Sequence, residues 1–165
     1  MKLDSQIGTR EQVIAEAQSW IGTPYAKNGR VKGGGVDCAT LLFCVYRNCG
    51  LVPAEDEGMF SDSDIVPNGQ DWWCNTNEDK YFRRVLRYGK KVAETVGYPS
   101  ILALPGNLVL TKANDSRLYN HGGIVVKWPR IVHAITPAVE MVNAFTDCLW
   151  SYQQMAIFDP WEQAE

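Results

Sequence analysis

The 165-residue chain lacks several features that would assign it to large classes of protein. No apolar run approaches the roughly 18 residues that a membrane-spanning helix needs. No block of basic residues stands out and the formal net charge is −3, so nucleic acid is not an expected partner. The first residues, MKLDSQIGTREQ, are polar and lack the apolar core of a signal peptide. We therefore expect a protein made in the cytoplasm, which would need another route to act outside the cell.

Cysteines with the spacing of disulfide frameworks or zinc sites are also missing. The count of five is odd and no CxxC pair occurs, which argues against a disulfide-stabilised scaffold and against a structural zinc site. An unpaired cysteine is most often a small buried hydrophobic residue. We expect that role for Cys44, Cys49 and Cys148, and we assign no role to Cys74.

Apolar residues recur at helical spacing in two long stretches. In residues 9–22, TREQVIAEAQSWIG, they fall on one face, with Thr9 as the N-cap and Gln12 completing a capping box. A second helix of this kind is predicted over residues 78–96 from an apolar stripe of Tyr81, Val85, Tyr88 and Val92.

A shorter helix is predicted between these two, directly after a glycine-rich loop. Asp37 is a good N-cap, Gly50 stands where a left-handed C-terminal cap is expected, and Pro53 prevents an early resumption. Cys38 then occupies the first helical position, and the apolar residues behind it anchor the helix in the core.

Downstream of Pro105 the pattern changes to short β-strands. The predicted strands are NLVLT, HGGIVV, RIVHAI, AVEMVN and QMAIF, and a Lys-Trp-Pro turn makes a hairpin of the second and third. Helices come first and an antiparallel sheet of about five strands follows. The predicted fold class is therefore α+β, with one domain over residues 1–165.

Residues 54–100 are predicted to be a longer helical or loop insert in this domain. Their first part, 54–76, has little periodicity, and long loops in compact domains are often functional. Adjacent Trp72 and Trp73 could stack on the sugar rings of a ligand, although packing in the core or in a lid is the commoner use of tryptophan. Both are candidate substrate-binding residues.

Cys38 has a physical reason to be reactive that the deeper Cys44 and Cys49 lack. The partial positive charge of a helix N-terminus favours the thiolate. Backbone N–H groups of the first turn could also stabilise an oxyanion formed on an attacked carbonyl group. Position alone does not decide the matter, because a buried thiol is the commoner role of a single cysteine.

The chain has two histidines, His121 and His133, and both fall in the predicted hairpin. A thiol hydrolase needs a base for the thiol proton and a third polar group to orient that base. Both side chains share one face if the strands pair with an even residue sum, as a three- or five-residue turn around Trp128–Pro129 would give and a two-residue turn would not. A zinc site made by both histidines and Cys38 is the competing hypothesis, although no further ligand pair has metal-like spacing.

Five short motifs, taken in order, resemble the NlpC family of papain-like bacterial cell-wall cysteine peptidases. They lie between about residues 12 and 135 and are TPYAKNG, VDCATLLFCVY, LPGNLVL, NHGGIVV and IVHAI. Members of that family have Thr-Pro-Tyr before the cysteine helix and Asp-Cys-Ser-Gly at its start. They have Pro-Gly-Asp-Leu, His-x-Gly-Ile and His-Ala on successive strands. Each motif alone is weakly specific, whereas five in one order are fairly specific.

The resemblance implies a papain-like NlpC-type fold and a cysteine peptidase. Cys38 would be the nucleophile, His121 the general base and acid, and His133 the orienting third member. Such peptidases typically cleave the bond between D-γ-glutamate and a diamino acid in peptidoglycan stem peptides, which would be the partner here. No cofactor and no metal are expected.

The resemblance also implies a set of substrate contacts around the nucleophile. Tyr25 would lie beside the cysteine and help to position the substrate or the oxyanion, and Asp37 would face a free amine of the substrate. Ala39 and Gly122 are further candidate substrate-binding residues.

Three departures from the family pattern bear on the expected substrate. Ala39-Thr40 replaces Ser-Gly, so a hydroxyl near the cleft is missing or shifted. Asn107 replaces the aspartate of Pro-Gly-Asp, a change expected to affect only a turn. The gap from Cys38 to His121 is longer than expected for a minimal domain, and its surplus falls in the 54–100 insert.

Three functions remain open at this point. A thiol hydrolase acting on stem peptides is favoured over an amidase or acyltransferase on the same scaffold, and over a non-enzymatic phage-tail assembly or wall-binding module. The lack of a leader, the small size and the variant motif favour the phage-tail and prophage-encoded branch. That branch would make tail proteins further partners and would place the chain in a virion or at the cell wall.

Overall fold

The computed structural model describes residues 6–53, 85–96 and 103–162. Within these ranges the helices are α1 (Arg10–Ser19) and α2 (Cys38–Asn48), and a short 3₁₀ turn covers Ala113–Asp115. The strands are β1 (Arg30–Val31), β2 (Gly35–Val36), β3 (Lys90–Val96), β4 (Leu108–Thr111), β5 (His121–Lys127), β6 (Arg130–Ala134), β7 (Val139–Asn143) and β8 (Gln154–Asp159).

One antiparallel sheet of six strands dominates the molecule, in the spatial order β3-β8-β4-β5-β6-β7. The strands β4 to β7 are sequential neighbours, whereas β8 returns to lie between β3 and β4. The short strands β1 and β2 pair with each other and close the glycine-rich loop just before α2. The α+β prediction is confirmed.

The first two predicted helices begin where the sequence indicates, and α2 also ends there, whereas α1 ends at Ser19, three residues before the end of the predicted stretch. Thr9 caps α1 in a capping box with Gln12, and Asp37 caps α2. Gly50 follows α2 with φ +74°, a backbone conformation that favours glycine. Within the described part of the chain, no helix has the length and apolar character needed to cross a membrane.

The third predicted helix is wrong over its second half. Residues Lys90–Val96 form strand β3, which pairs with β8 along the edge of the sheet and adds a sixth strand to the expected five. A register shift between Lys91 and Ala93 interrupts the strand. The open edge of β8 offers backbone hydrogen bonds to this segment, and such tertiary pairing overrides a local helical period. Residues 54–84 and 97–100 of the predicted insert lie outside the described residues.

The sheet separates two apolar clusters. The helices α1 and α2 cover one face, where the core includes Leu41, Val45, Ile124 and Val132. The other face carries Val125, Ile131, Trp150, Met155 and Ile157. Because side chains alternate along a strand, His121 and His133 belong to this second face.

Candidate active site

Cys38 is the first residue of α2, and the turn that carries it is held by a capping box. The Asp37 carboxylate accepts hydrogen bonds from the N–H groups of Ala39 (2.9 Å) and Thr40 (2.8 Å) through Oδ1, and from the Asn28 N–H (2.7 Å) through Oδ2. Thr40 Oγ1 in turn accepts the Asp37 N–H at 2.9 Å. Asp37 and Thr40 are buried, whereas Cys38 is partly exposed. The thiol therefore lies near the surface on a backbone that is fixed from beneath.

This capping box corrects one expectation about the oxyanion. The N–H groups of Ala39 and Thr40 both point to the Asp37 carboxylate, so these two members of the first turn are not available to stabilise an oxyanion, whereas the Cys38 N–H is not part of the capping box. An N-cap carboxylate and an oxyanion compete for the same unsatisfied donors of the first turn.

Tyr25 approaches the start of α2 from the preceding loop. It forms an isolated β-bridge with Val36, and its N–H donates to the Pro137 carbonyl at 2.9 Å. The Thr23 carbonyl accepts the N–H of Val139, again at 2.9 Å. This loop therefore ties the start of α2 to the connection between β6 and β7.

The Tyr25 hydroxyl is protonated at neutral pH, and its surroundings extend this state to higher pH. Burial, and then the neighbouring Cys38 and Asp37, raise its pKa well above the ordinary value for tyrosine. A protonated phenol in this position can donate a hydrogen bond to developing negative charge.

The hairpin of β5 and β6 brings both histidines to one face of the sheet by means of a β-bulge, which the sequence did not predict. The turn has two residues, Trp128–Pro129, and the pairing shifts between Val125–Ile131 and Lys127–Arg130. Val126 is the extra residue of a β-bulge, which restores an even residue sum beyond it. The even residue sum that a common face requires is present, but it comes from this bulge and not from a three- or five-residue turn.

The two imidazoles are in direct contact. His121 Nε2 lies 2.7 Å from His133 Nδ1, and the rings meet edge to face with centroids 4.9 Å apart. Trp150 packs against both rings, and its indole N–H donates to His133 Nδ1 at 3.2 Å. On the other side of His133, its Nε2 lies 3.2 Å from Glu140 Oε1. His121 is 7% exposed, and His133 and Trp150 are fully buried.

Both imidazoles are neutral at pH 7. Burial, reinforced by the neighbouring His133, lowers the pKa of His121 to about 3. Burial also lowers the pKa of His133, against the hydrogen bond to Glu140 and the negative charges of Asp147 and Glu140. A neutral imidazole is the form that can take up a proton, and the burial that keeps it neutral also makes it a weaker base than an exposed histidine.

Glu140 and Trp150 were not identified from the sequence. Glu140 stands directly opposite His133 in the register of β6 and β7, so extending the predicted pairing into AVEMVN would have found it. Trp150 comes from the loop between β7 and β8, and no periodicity of the sequence indicates where that loop lies.

The site is therefore built from two groups of residues. Tyr25, Asp37 and Cys38 meet at the start of α2, and His121 and His133 meet on the sheet. Cys38 and His121 are each the first residue of their element, and α2 packs on β5.

The remaining candidate substrate-binding residues are Ala39, Gly122, Trp72 and Trp73. Ala39 and Gly122 are buried, with Gly122 paired opposite Leu110 across β4 and β5. Trp72 and Trp73 lie outside the described residues, and so does Cys74.

Among the other described cysteines, the prediction of a buried thiol holds for one, partly holds for another and fails for the third. Cys44 is buried, and burial raises its pKa to about 11. Cys49 is partly exposed, and burial raises its pKa as well. Cys148 is exposed, so the prediction is wrong for it. It lies in the loop between β7 and β8.

One described cluster has the chemistry of metal ligands. The ligand atoms of His133, Glu140 and Asp147 all lie within 4.8 Å of one another. Each has a partner within the protein, since His133 Nε2 faces Glu140 and Asp147 Oδ1 accepts the Leu149 N–H at 2.9 Å.

Solved structures match the chain in fold, although no protein-family model and no curated protein matches its sequence. The NlpC/p60 domain of the peptidoglycan hydrolase SagA is 17% identical with a TM-score of 0.51, over 90% of this chain and 97% of that domain. An NlpC/P60 family protein from Bacillus cereus ATCC 10987 is 17% identical with a TM-score of 0.58, over 93% of this chain and 41% of that one. NlpC1 from Trichomonas vaginalis is 14% identical with a TM-score of 0.59, over 93% of this chain and 47% of that one.

These likenesses establish the fold. The chain has the architecture of an NlpC/p60 domain, matches the SagA domain over nearly its whole length, and spans less than half of the other two proteins.

Proposed function

We propose that this chain, which has the NlpC/p60 fold, is a cysteine peptidase that hydrolyses a peptide bond of peptidoglycan stem peptides. The observation that carries the proposal is the buried, neutral pair of His121 and His133, whose ring nitrogens are 2.7 Å apart. His121 is the first residue of β5, and α2, the helix that begins with Cys38, packs against this strand. A structural core has little use for two adjoining imidazoles, whereas a thiol hydrolase needs a base and a group that orients it.

We propose that the side chains of Cys38 and His121 meet beyond the N-terminal ends of α2 and β5. The imidazoles project from the face of the sheet opposite α2, but both residues stand first in their elements. His121 uses Nε2 to contact His133, so Nδ1 is the nitrogen that would serve the thiol.

The proposed reaction follows from these roles. His121 Nδ1 takes the proton of the Cys38 thiol, and the thiolate attacks the carbonyl carbon of the scissile bond. The tetrahedral intermediate collapses as the imidazolium returns the proton to the leaving amine, which leaves a thioester on Cys38. Water then attacks the thioester with His121 again as base, releasing the acid and the free thiol.

Two residues at the start of α2 are proposed to bind the substrate. The Tyr25 hydroxyl, held protonated, donates to the oxyanion in place of the two N–H groups that Asp37 occupies. A substrate amine is proposed to bind at Asp37 Oδ2, which accepts one hydrogen bond from Asn28 and has a second lone pair.

The proposed substrate is the bond between D-γ-glutamate and a diamino acid. It is supported by the order of the five sequence motifs and by the fold shared with the domain of a protein named as a peptidoglycan hydrolase.

The test uses synthetic stem-peptide fragments that contain this bond, with products identified by mass spectrometry. We expect cleavage by the native chain and loss of cleavage in Cys38→Ser and His121→Ala. Cys49→Ala is the matched control, because it removes a thiol from the far end of the same helix.

Two results would contradict the proposal. One is unchanged cleavage by Cys38→Ser. The other is absence of both hydrolysis and acyl transfer by the native chain on every fragment, together with a Cys38 no more reactive toward iodoacetamide than a model thiol.

A further inference from the structure

Glu140 lies where it can govern the protonation of both histidines. It is the residue directly opposite His133 in the β6–β7 register, and its Oε1 lies 3.2 Å from His133 Nε2. Its side chain is half exposed, whereas His133 is fully buried. The half-exposed carboxylate of Glu140 thus contacts His133, the fully buried member of the imidazole pair.

The partners of His133 define one tautomer. A carboxylate is only an acceptor, so the ring nitrogen facing Glu140 must carry the proton. An indole N–H is only a donor, so the nitrogen facing Trp150 must offer its lone pair. Both constraints give the same answer, with the proton on Nε2 and the lone pair on Nδ1.

The tautomer of His133 determines the tautomer of His121 through the hydrogen bond between the two rings. His133 Nδ1 has one lone pair and no proton, so this lone pair is shared by two donors: the Trp150 indole N–H at 3.2 Å and the His121 Nε2–H at 2.7 Å. A neutral imidazole carries one ring proton, so His121 Nδ1 is left unprotonated. That nitrogen is the one that the proposed reaction uses as base.

We propose that Glu140 is a positioning residue that, acting through His133, holds His121 in the tautomer whose Nδ1 can accept the thiol proton. Its role in turnover rests on the proposed thiol hydrolase, whereas the tautomers belong to the resting protein. The Glu140 charge also faces the imidazolium that forms on His121 across one intervening ring, so it favours that state. Asp147 lies in the same cluster, and its Oδ1 accepts the Leu149 N–H.

The chain suits a direct test because it has two histidines. Nitrogen-15 NMR of the labelled imidazoles reports which ring nitrogen carries the proton. We expect both native histidines to carry it on Nε2 at pH 7. Glu140→Leu removes the acceptor but leaves the Trp150 donor, so we expect a partial shift in which both histidines gain a measurable fraction of the Nδ1-protonated tautomer. Met141→Gln, at the next and exposed position of β7, is the matched control and should leave the native tautomers unchanged.

Turnover of stem-peptide fragments gives the second readout. At metal sites, removal of the outer hydrogen-bond partner of a ligating histidine typically costs about 10–100-fold in affinity or activity, and a partner that orients a general base is expected to act similarly. We expect Glu140→Leu to lower kcat by this factor with little change in KM. Glu140→Gln retains an acceptor oxygen without the charge, so it should keep the native tautomers and lose less kcat.

The two proposals fail in different ways. If the native chain cleaves nothing, the proposed function fails, but the NMR comparison still tests the role of Glu140. If Glu140→Leu keeps both native tautomers, or keeps kcat within about twofold of the native chain, the role of Glu140 is overturned. A Glu140→Gln variant as impaired as Glu140→Leu, with native tautomers in both, would overturn it too.

Discussion

Thr40 Oγ1 accepts the backbone N–H of Asp37 at 2.9 Å, while the Asp37 carboxylate accepts the N–H of Thr40 at 2.8 Å. This reciprocal pair explains what Ala39-Thr40 does where the resembling family has Ser-Gly. The hydroxyl is present one position later, and it holds the start of the cysteine helix instead of facing a substrate.

The capping box of α2 should matter for both stability and turnover. Thr40→Val keeps the shape and removes the hydroxyl, which leaves the buried Asp37 N–H without this acceptor. We expect unfolding by urea to show a loss of about 1–3 kcal/mol. The Cys38 turn should also loosen, so kcat on stem-peptide fragments should fall.

The matched control is the capping box of α1. Gln12 holds the same third position there, accepting the Thr9 N–H at 2.8 Å on an exposed surface. Gln12→Ala should cost less stability and leave kcat unchanged. Equal kcat in Thr40→Val and the native chain would show that this capping box does not support the reaction.

Tyr25→Phe tests the proposed oxyanion donor. Loss of one such donor lowers kcat about 10²–10³-fold in other hydrolases, and we expect a fall in that range with the fold intact. Tyr46→Phe is the comparison, because it also removes a phenolic donor, here one bonded to the Gly106 carbonyl at 2.8 Å. It should reduce the free energy of unfolding without reducing kcat, and a Tyr25→Phe variant with native kcat would remove Tyr25 from the mechanism.

The buried histidines should make the protein sensitive to mild acid. His121 has a pKa of about 3 in the folded chain, below the 6.5 of an exposed histidine, and burial lowers the pKa of His133 as well. Between these values the unfolded chain binds the proton and the folded chain does not. Stability therefore rises with pH through this window and falls as the pH drops below about 6.5, by up to about 1.4 kcal/mol per pH unit for His121, and His133 contributes in the same direction.

Urea denaturation at several pH values between 5 and 7 would measure this dependence, above the range in which most carboxylates titrate. A His121→Gln variant should show a shallower slope than the native chain. An identical slope in both would mean that His121 titrates near its ordinary pKa in the folded protein.

Gly123 leaves room for the residues that support the histidine pair. A Cβ there would overlap Ile131 Cγ2, and it would lie 3.0 Å from the Val132 carbonyl oxygen and 3.2 Å from Trp150 Cζ2. We expect Gly123→Ala to destabilise the fold by about 1–3 kcal/mol, as overpacking does.

A double-mutant cycle separates this overlap from other effects. Ile131→Ala removes the Cγ2 atom, so the double variant should be more stable than the sum of the two single losses by about 0.5–3 kcal/mol. Additive losses in urea denaturation would show that the overlap with Ile131 is not the cause.

The sequence predicted most of the scaffold because the relevant signals are local. Thr9 and Asp37 are caps whose side chains reach backbone donors two or three residues away, and the strands downstream of Pro105 alternate within a few residues. The segment Lys90–Val96 was mistaken for a helix since its strand conformation depends on β8, more than fifty residues later. The bulge at Val126 likewise has no local signature, although it decides that both histidines share a face.

What the sequence determined by itself is the set of reactive groups and the elements that bear them: a thiol at the first turn of a helix and two imidazoles in one hairpin. Tertiary structure alone decided the state of these groups. Burial against Trp150 makes the imidazoles neutral, and the register of β6 against β7 brings Glu140 to His133. Desolvation by Trp150 arises only when separate segments pack, and the partner of His133 across the sheet depends on the exact register of β6 and β7, so neither follows from the local pattern of residues alone.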